Sequence, residues 1–281
     1  MWYLKTRALA VPVLVSTMVF ALVGAALPDV LGVTLFYAAS GTALALAWSV
    51  VEPWAVRLFG GAKALSPAER RILEPVLEEL VDRDLGSPDF YTSRRATAPV
   101  RAIGRRSVVI DPVLVEALAY GQLTRAEAVG VIGHAAVAVR LGLTRYDLLV
   151  AYWTTPWRCL AVVHSPRRGP LRFAWKLRGV VAAVAVVRTL QDEISTRSVV
   201  TASLVLALLA LTYLVPRWQD RWERAALSVA DEAVRDHGLG PSLAAFLRRC
   251  PPSTELAARI HESEDIDGER ERPHLRLIPG G

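Results

Sequence analysis

Two long uncharged runs of apolar residues open the chain and predict a pair of membrane-spanning helices. Residues 8–27 and residues 30–51 carry no charged side chain, and about 20 apolar residues suffice for a helix to cross a bilayer. Pro28 and Asp29 between the runs predict a tight turn. A signal peptide is the alternative for the first run, but the second run follows it directly, which favours a hairpin of two spans.

Charged residues around this hairpin predict its orientation. Lys5 and Arg7 precede the first run, and only Asp29 lies between the two runs. The basic residues that follow the second run are Arg57, Lys63, Arg70 and Arg71. Because basic residues are retained on the cytoplasmic side, both ends of the hairpin are expected in the cytoplasm.

A further span is predicted over residues 198–215, which are uncharged and mostly apolar. If the soluble segments on either side of this region pack together, an even number of crossings separates them, so a partner span is expected within 171–190. The basic cluster near its cytoplasmic end comprises Arg167, Arg168, Arg172, Lys176 and Arg178. Residues 148–163 are apolar too, but they contain Pro and Arg and either lie in the interface or pack inside the fold. The chain is therefore predicted to be a multi-pass protein of the cell membrane, with both termini in the cytoplasm.

Between the membrane segments, the pattern predicts a cytoplasmic α+β domain that is mainly helical. Ser66 and Glu69 have the spacing of a capping box, with Pro67 at the first helical position, and apolar residues follow at helical spacing. Extended segments of a small β-sheet are predicted at residues 90–91, 99–103 and 107–110, the last two joined by a turn at 104–106. After a short helix at 112–120, helices return at 217–249 with a break at 238–241.

A second capping box, formed by Thr124 and Glu127, begins the most informative helix of the chain, and Gly142 predicts its end. Its apolar run contains a single polar group, His134. In a zinc protease such a helix carries the motif H-E-x-x-H, whose two histidines bind the metal while the glutamate activates water. The five positions here are His134, Ala135, Ala136, Val137 and Ala138. The pattern predicts a metalloprotease-like helix without its catalytic groups.

Composition narrows the classes of function. Hydrophobic residues make up 53% of the chain and the net charge is +6, which is typical of a protein that lies partly in a bilayer and faces anionic lipid headgroups. No stretch alternates basic with aromatic residues, so nucleic acid is not an expected partner. The two cysteines, Cys159 and Cys250, are consistent with a reducing cytoplasmic location. Arg greatly outnumbers Lys, a bias that we attribute to a GC-rich bacterial genome.

A series of weak motifs follows the same order as in a known family. After the two N-terminal spans come APVRAIGRRSVVIDPVLVEAL, LTRAEAVGVIGHAAVAVRLG, further spans, ALSVADEAVRDHG and CPPSTELAARI. In this order the chain resembles the M48 family of membrane zinc metallopeptidases, which includes HtpX and the CAAX prenyl protease. The resemblance extends over roughly residues 10–260. It implies a zincin-type cytoplasmic domain, with a strand beside the substrate cleft and a third zinc ligand on a later helix.

Carried over position by position, the metal site of this family is degraded. His134 matches the first zinc-binding histidine, whereas Ala135 replaces the general base and Ala138 replaces the second histidine. Asp231 matches the aspartate of the family phrase E-x-x-A-D, which places Leu227 where the third ligand, a glutamate, would lie. The resemblance also implies a peptide-binding edge strand made of Pro99, Val100, Arg101, Ala102 and Ile103.

The remaining residues predict that zinc is not bound. A catalytic zinc needs three protein ligands and a water, and hydrolysis needs a base beside the metal. The simplest interpretation of His134 is a lone neutral histidine on a buried helix, hydrogen-bonded to a neighbour. Cys250 lies where the family has a histidine before proline. A rescued zinc site would require His134, Asp231 and Cys250 to converge, with His237 as another candidate ligand.

Three hypotheses about function remain open at this point. The first is a pseudopeptidase that binds an extended segment of a membrane protein along the edge strand, or regulates an active membrane protease, without a cofactor. The second is a divergent zinc metalloendopeptidase with unusual ligands. The third is a structural membrane protein that has no cleft.

The expected organisation has five parts. They are a transmembrane hairpin (1–56), an M48-like cytoplasmic part (57–146), a membrane region (147–216), a helical return segment (217–262) and a disordered tail (263–281). The charged composition of the tail, with Gly and Pro and without periodic apolar residues, is typical of disorder.

Overall fold

The computed structural model describes residues 2–48, 51–95, 98–157 and 196–264, together with residues 180, 183, 184 and 187. These residues are mostly helical and include one small mixed sheet, which confirms the predicted α+β class. The chain divides into two compact units. Unit 1 comprises Met1–Trp48 with Tyr146–Ala226, and unit 2 comprises Ser49–Arg145 with Leu227–Gly281. The start of unit 2 thus precedes the boundary expected at residue 56.

Unit 1 begins with a helical hairpin of α1 (Trp2–Ala26) and α2 (Asp29–Leu46). The two helices approach each other closely next to their turn, where Gly24 and Gly32 meet. A side chain at Gly32 would overlap the carbonyl oxygen of Gly24, so the close approach depends on the missing Cβ atom.

One helical stretch within α1, Tyr3–Ala26, is long and apolar enough to cross a membrane, and it is the only such stretch among the residues described. The apolar part of α2, Val30–Leu46, is shorter. α2 ends at Leu46, before the end of the run of residues 30–51 that was predicted as one span.

Among the described residues, the later part of unit 1 includes α7 (Asp147–Trp153) and the first part of α8 (Thr196–Asp236). α8 contains the predicted span 198–215 and continues through a proline without interruption. The partner span expected within 171–190 lies outside the described residues, apart from a few isolated positions.

Contacts within unit 1 hold α7 against α1. Lys5 forms a salt bridge of 3.0 Å with Asp147, and the ring centroids of Phe20 and Trp153 lie 5.1 Å apart. Within the apolar stretch 148–163, Leu148 of α7 is buried and the rest of this helix is half-buried. Residues 158–163 lie outside the described residues, so both alternatives for this stretch stay predictions.

The sheet of unit 2 has four strands: β1 (Lys63–Ala64), β2 (Asp89–Thr92), β3 (Val100–Ile103) and β4 (Ser107–Ile110). The strands lie in the order β1-β2-β4-β3. β2 and β4 pair in parallel, whereas the other two pairs are antiparallel. The three predicted strands are confirmed. β1 was missed because two residues carry no periodic signal.

The helices of unit 2 surround this sheet. They are α3 (Glu52–Gly60), α4 (Pro67–Asp82), α5 (Pro112–Ala119), α6 (Arg125–Arg140), the end of α8, α9 (Gly240–Leu247) and α10 (Thr254–Glu264). The capping box at Ser66 and Glu69 is present. The predicted break after α8 is confirmed too, because Gly238 has a φ of +71° there.

The central element of unit 2 is α6. It packs against β3 and β4 on one side and against α4 and α9 on others. A Cβ atom on Gly130 would lie 2.6 Å from the backbone nitrogen of Leu243, so glycine lets α6 and α9 approach closely. Ile132 of α6, Leu80 of α4 and Leu239 just before α9 are fully buried in the same apolar cluster.

The C-terminal helix extends further than expected. α10 continues to Glu264, and Ser263 is buried, although the disordered tail was predicted to start at that residue. Packing against the rest of unit 2 stabilises this last turn more than its polar composition suggests. Residues 265–281, the rest of the predicted tail, lie outside the described residues.

A buried glutamate fixes α3 to the sheet. Both oxygens of Glu52 accept hydrogen bonds of 2.9 Å from the backbone N–H groups of Arg105 and Arg106. The Ser107 hydroxyl donates a third bond of 2.7 Å. Gly104 makes room for the carboxylate, because a Cβ atom there would lie 2.6 Å from it, and its φ of +71° favours glycine. The predicted turn between β3 and β4 is thus held from α3.

We expect that the substitution Glu52→Ala destabilises unit 2 by about 3 kcal/mol, because it leaves two buried N–H groups and one hydroxyl without an acceptor. Denaturant-induced unfolding of the detergent-purified protein measures the effect. Glu74→Ala, at an exposed position of α4, serves as the control and should change stability by less than about 0.5 kcal/mol. Equal effects of the two substitutions would contradict the role of Glu52.

Candidate functional site

The helix α6 is fixed at its start by the predicted capping box. The Thr124 hydroxyl accepts a hydrogen bond of 3.3 Å from the Glu127 backbone N–H, and Glu127 Oε2 accepts one of 2.8 Å from the Thr124 N–H. Just past the other end, Gly142 has a φ of +68°. Both end signals are therefore confirmed, and they set the position of His134 along the helix.

Glu127 has a second partner that links α6 to the segment after α9. Its Oε1 accepts a hydrogen bond of 2.6 Å from Arg249. Burial raises the pKa of Glu127, but the hydrogen bonds from Thr124 and Arg249 outweigh it, so the pKa lies below its ordinary value. The glutamate is therefore held ionised at neutral pH and caps the helix.

His134 faces a carboxylate of another helix. Its Nε2 atom lies 3.0 Å from Oδ1 of Asp231. Nε2 is buried and makes no aligned hydrogen bond, so the contact is a close approach of two polar groups rather than the well-formed bond expected from the sequence. The flanking positions Ala135 and Ala138 are buried as apolar residues.

Asp231 is the centre of this arrangement. Its carboxylate is 3% exposed and receives two hydrogen bonds from Arg259 of α10, one of 2.8 Å to Oδ2 and one of 2.9 Å to Oδ1. Burial by itself would raise the pKa of Asp231. His134 and Arg259 lower it by a larger amount, so the pKa is about 2. Burial lowers the pKa of Arg259, whereas Asp231 raises it, and the net shift is upward. We call these three residues, from α6, α8 and α10, the ion-pair cluster.

The residues of this cluster do not fit a zinc ion. Both oxygens of Asp231 already bind a guanidinium, which is a fixed positive charge beside His134. Leu227, one turn before Asp231 on α8, is apolar and partly buried. Within the described part of the chain, no three His, Cys, Asp or Glu side chains are grouped so that they could hold a metal.

The other two predicted rescue ligands each contact a backbone carbonyl of their own segment, and Cys250 also interacts electrostatically with Arg259. Cys250 is a partly buried thiol whose Sγ atom lies 4.0 Å from the carbonyl oxygen of Phe246. The Nδ1 atom of His237 lies 2.7 Å from the carbonyl oxygen of Ala233. Asp231 is the candidate that the structure places in direct contact with His134.

The strand β3 lies at the edge of the described sheet, beside α6. The carbonyl oxygen of Pro99, just before β3, accepts a hydrogen bond from the Asp111 N–H. This bond shows which residues of β3 form hydrogen bonds to β4, because bonded and non-bonded pairs alternate along an antiparallel ladder. Arg101 and Ile103 consequently direct their backbone groups towards β4, whereas Val100 and Ala102 direct theirs outward. The outer edge of β3 therefore presents two N–H and two C=O groups.

Open clefts lie elsewhere in unit 2. A cavity of about 430 Å³ between α3, α4 and β2 is lined by residues that include Arg57, Arg70 and Tyr91. Burial and the charge of Asp89 raise the pKa of Tyr91, so this phenol is neutral at physiological pH. His134, Asp231 and β3 do not line the cavity, so the chemistry discussed above is separate from it.

Two partners in these sites were not predicted from the sequence. Arg259 lies between the apolar positions Leu256 and Ile260, which pack against the core. A charged residue on a core-facing side of a helix indicates a buried partner of opposite charge, and this signal was available in the sequence. Glu52 follows directly after an apolar run and was assigned to the membrane hairpin.

Comparison with protein-family models, with curated proteins and with solved structures finds no match for the chain. What the protein does must therefore be argued from the geometry of the ion-pair cluster and of β3. Both features belong to unit 2, and α6 contributes to each of them.

The low pKa of Asp231 predicts how stability depends on pH. Because this pKa is about 2 in the folded protein, against an ordinary value of 3.8, the ionised carboxylate stabilises the fold. The contribution is fully present above about pH 4 and is lost as the pH falls towards about 2; it amounts to about 2 kcal/mol. The stability difference between the wild type and Asp231→Asn should shrink by this amount over that range, as measured by denaturant-induced unfolding in detergent.

Asp82→Asn provides the matched control, because the Asp82 side chain is exposed at the end of α4. Its stability difference from the wild type should stay nearly constant over the same pH range. A constant difference for Asp231→Asn as well would contradict the inferred pairing.

Proposed function

We propose that this chain is a multi-pass protein of the cell membrane whose unit 2 is a pseudopeptidase related in plan to the M48 metallopeptidases. It acts by binding an extended segment of a membrane protein, or by regulating a membrane protease, and not by hydrolysis. Both termini lie in the cytoplasm in this proposal. Its partners are membrane lipid and protein, and nucleic acid is not among them.

One observation carries the proposal: the edge strand β3 packs beside α6, the helix of His134, and a later helix presents Asp231 to the same histidine. A zincin-type peptidase needs this relation, because its substrate adds to an edge strand beside the metal-binding helix. Asp231 also belongs to the phrase that resembles the family. The geometry and the order of the motifs thus support the same plan.

The chemistry of the cluster supports binding over hydrolysis. Ala135 cannot take a proton from water, so no general base lies one residue after His134. Arg259 supplies the positive charge that a metal ion would otherwise place beside Asp231. An ion pair of this kind holds three helices together but provides no activated water.

The outer edge of β3 supports binding of an extended chain. A bound segment would pair with Val100 and Ala102 and continue the sheet by one strand. Such main-chain pairing does not depend on the partner's sequence, and the exposed side chain of Arg101 adds a preference for acidic residues nearby. No cavity is needed for this mode of binding.

The zinc content of the detergent-purified protein tests whether catalysis is lost. We expect less than about a tenth of an equivalent, both in the wild type and in His134→Ala, because a catalytic zinc binds nearly stoichiometrically. Elemental analysis by mass spectrometry gives the measurement.

About one zinc per chain that disappears in His134→Ala would contradict the proposal. That outcome would support the alternative of a divergent zinc metalloendopeptidase, with Asp231 as the first additional ligand to examine. His237 and Cys250 would follow.

Hydrogen exchange tests the edge strand. The amides of Val100 and Ala102 should exchange much faster than those of Arg101 and Ile103, because only the latter pair with β4. Addition of unfolded casein, used as a probe for extended segments, should slow the two fast amides. Unchanged exchange with casein in excess would count against binding at this edge.

Two substitutions at one position sharpen this test. Ala102→Pro removes an outward-facing backbone N–H but leaves the N–H groups of Arg101 and Ile103 paired with β4. The variant should therefore no longer retain bound casein. Ala102→Val keeps the donor and should retain casein. Equal retention by the two variants would contradict the proposal, provided that both show the wild-type circular dichroism spectrum.

A further inference from the structure

The helix α3 leaves large apolar side chains in contact with solvent. Trp54 is 72% exposed, Leu58 77% and Phe59 52%. Trp54 and Leu58 lie one helical turn apart on the same face, whereas Phe59 lies one turn after the buried Ala55 and is turned away from that face. Such an apolar patch on a short helix usually marks a binding surface.

The other face of α3 is fixed to the sheet, so the direction of the apolar face is fixed too. Ala55 and Val56 are buried, and Glu52 binds the turn between β3 and β4 through three hydrogen bonds. Rotation of α3 to hide Trp54 and Leu58 would break these contacts.

Basic side chains border the apolar face. Arg57 is exposed on α3 itself, and Lys63 is exposed in β1 directly after it. Arg95 lies against the C-terminal end of α3, since a Cβ atom on Gly61 would come within 3.1 Å of its Cδ atom. Helices that lie in the headgroup region of anionic membranes typically combine Trp, Leu and Phe with neighbouring Arg and Lys.

Chain connectivity keeps α3 close to the first apolar hairpin. α2 ends at Leu46 and α3 begins at Glu52, and the five residues between them span at most about 20 Å. A lipid surface is therefore within reach of α3 wherever α1 and α2 cross the bilayer. A soluble protein partner has no comparable argument in its favour.

We propose that α3 is an interfacial helix that binds an anionic lipid surface, with Trp54 and Leu58 at the acyl boundary and Arg57, Lys63 and Arg95 at the phosphates. This inference rests on the membrane location given under the proposed function, but it is independent of zinc loss and of peptide binding. Through Glu52, it fixes the turn between β3 and β4 relative to the membrane surface.

Spin labels in the full-length protein test the inference. The background is Cys159→Ser with Cys250→Ser, and single cysteines replace Leu58, Tyr120 or Leu14. The protein is placed in nanodiscs of phosphatidylglycerol and phosphatidylcholine, and the depth of each label follows from its collisions with oxygen and with a water-soluble nickel complex. Tyr120, 80% exposed at the end of α5, is the matched control, and Leu14, 60% exposed in α1, reports the bilayer itself.

The label at position 58 should lie about 5–10 Å below the headgroups, whereas the label at position 120 should remain in water. A label at 58 that is as accessible to nickel as the label at 120 would overturn the inference. Shielding of position 58 from both collision partners would overturn it as well, because a protein would then cover α3. A label at position 14 in water would refute the membrane location itself, and the inference with it.

Lipid charge provides the second arm. In nanodiscs of phosphatidylcholine alone, the label at 58 should become shallower while the label at 14 keeps its depth. The triple variant Arg57→Gln, Lys63→Gln and Arg95→Gln should give the same shallow position in the anionic discs. An unchanged depth in both experiments would overturn the role of the basic side chains.

Discussion

The buried carboxylate of Asp231 is the constraint on which the arrangement of unit 2 depends. A charge that is 3% exposed requires compensation, and Arg259 of α10 supplies the opposite charge while His134 of α6 lies 3.0 Å away. Breaking a buried pair by removing one partner typically costs about 3–5 kcal/mol, because the remaining charge stays buried. The two hydrogen bonds from Arg259 also fix the rotation of α10. α6, α8 and α10 are therefore positioned together by one side chain.

The ion-pair cluster joins side chains of three helices around one charge, as a metal site does, but the positive charge is a guanidinium. A metal ion gathers carboxylate and imidazole groups from separate helices by its positive charge, and a guanidinium can do the same with a fixed planar geometry. The difference lies in chemistry: a guanidinium offers no open coordination position and cannot lower the pKa of a water molecule. An arrangement of this kind links helices through a buried charge pair and leaves no open position for a water molecule at the carboxylate.

Local signals were predictable from the sequence, whereas partners across the fold were not. The capping boxes at Ser66 and Thr124, the break at Gly238 and three of the four strands each follow from a few adjacent residues. Arg259 and Asp231 are far apart in the chain, and so are Glu52 and the turn that it holds. Their pairing depends on how helices pack, which no local pattern reports. The two residues of β1 form a strand only because β2 lies beside them.

Unit 2 is also discontinuous, because the segment Tyr146–Ala226 of unit 1 is inserted into it. Gly130 of α6 meets Leu243, and His134 meets Asp231, only after that segment has been made. At ribosomal rates of about 5–20 residues per second, the delay is on the order of 10 s. During this time the apolar α6 has α4, β3 and β4 beside it but lacks α9 and the end of α8. Synthesis therefore imposes a waiting period on the nascent chain, in which α6 is a natural client for chaperones.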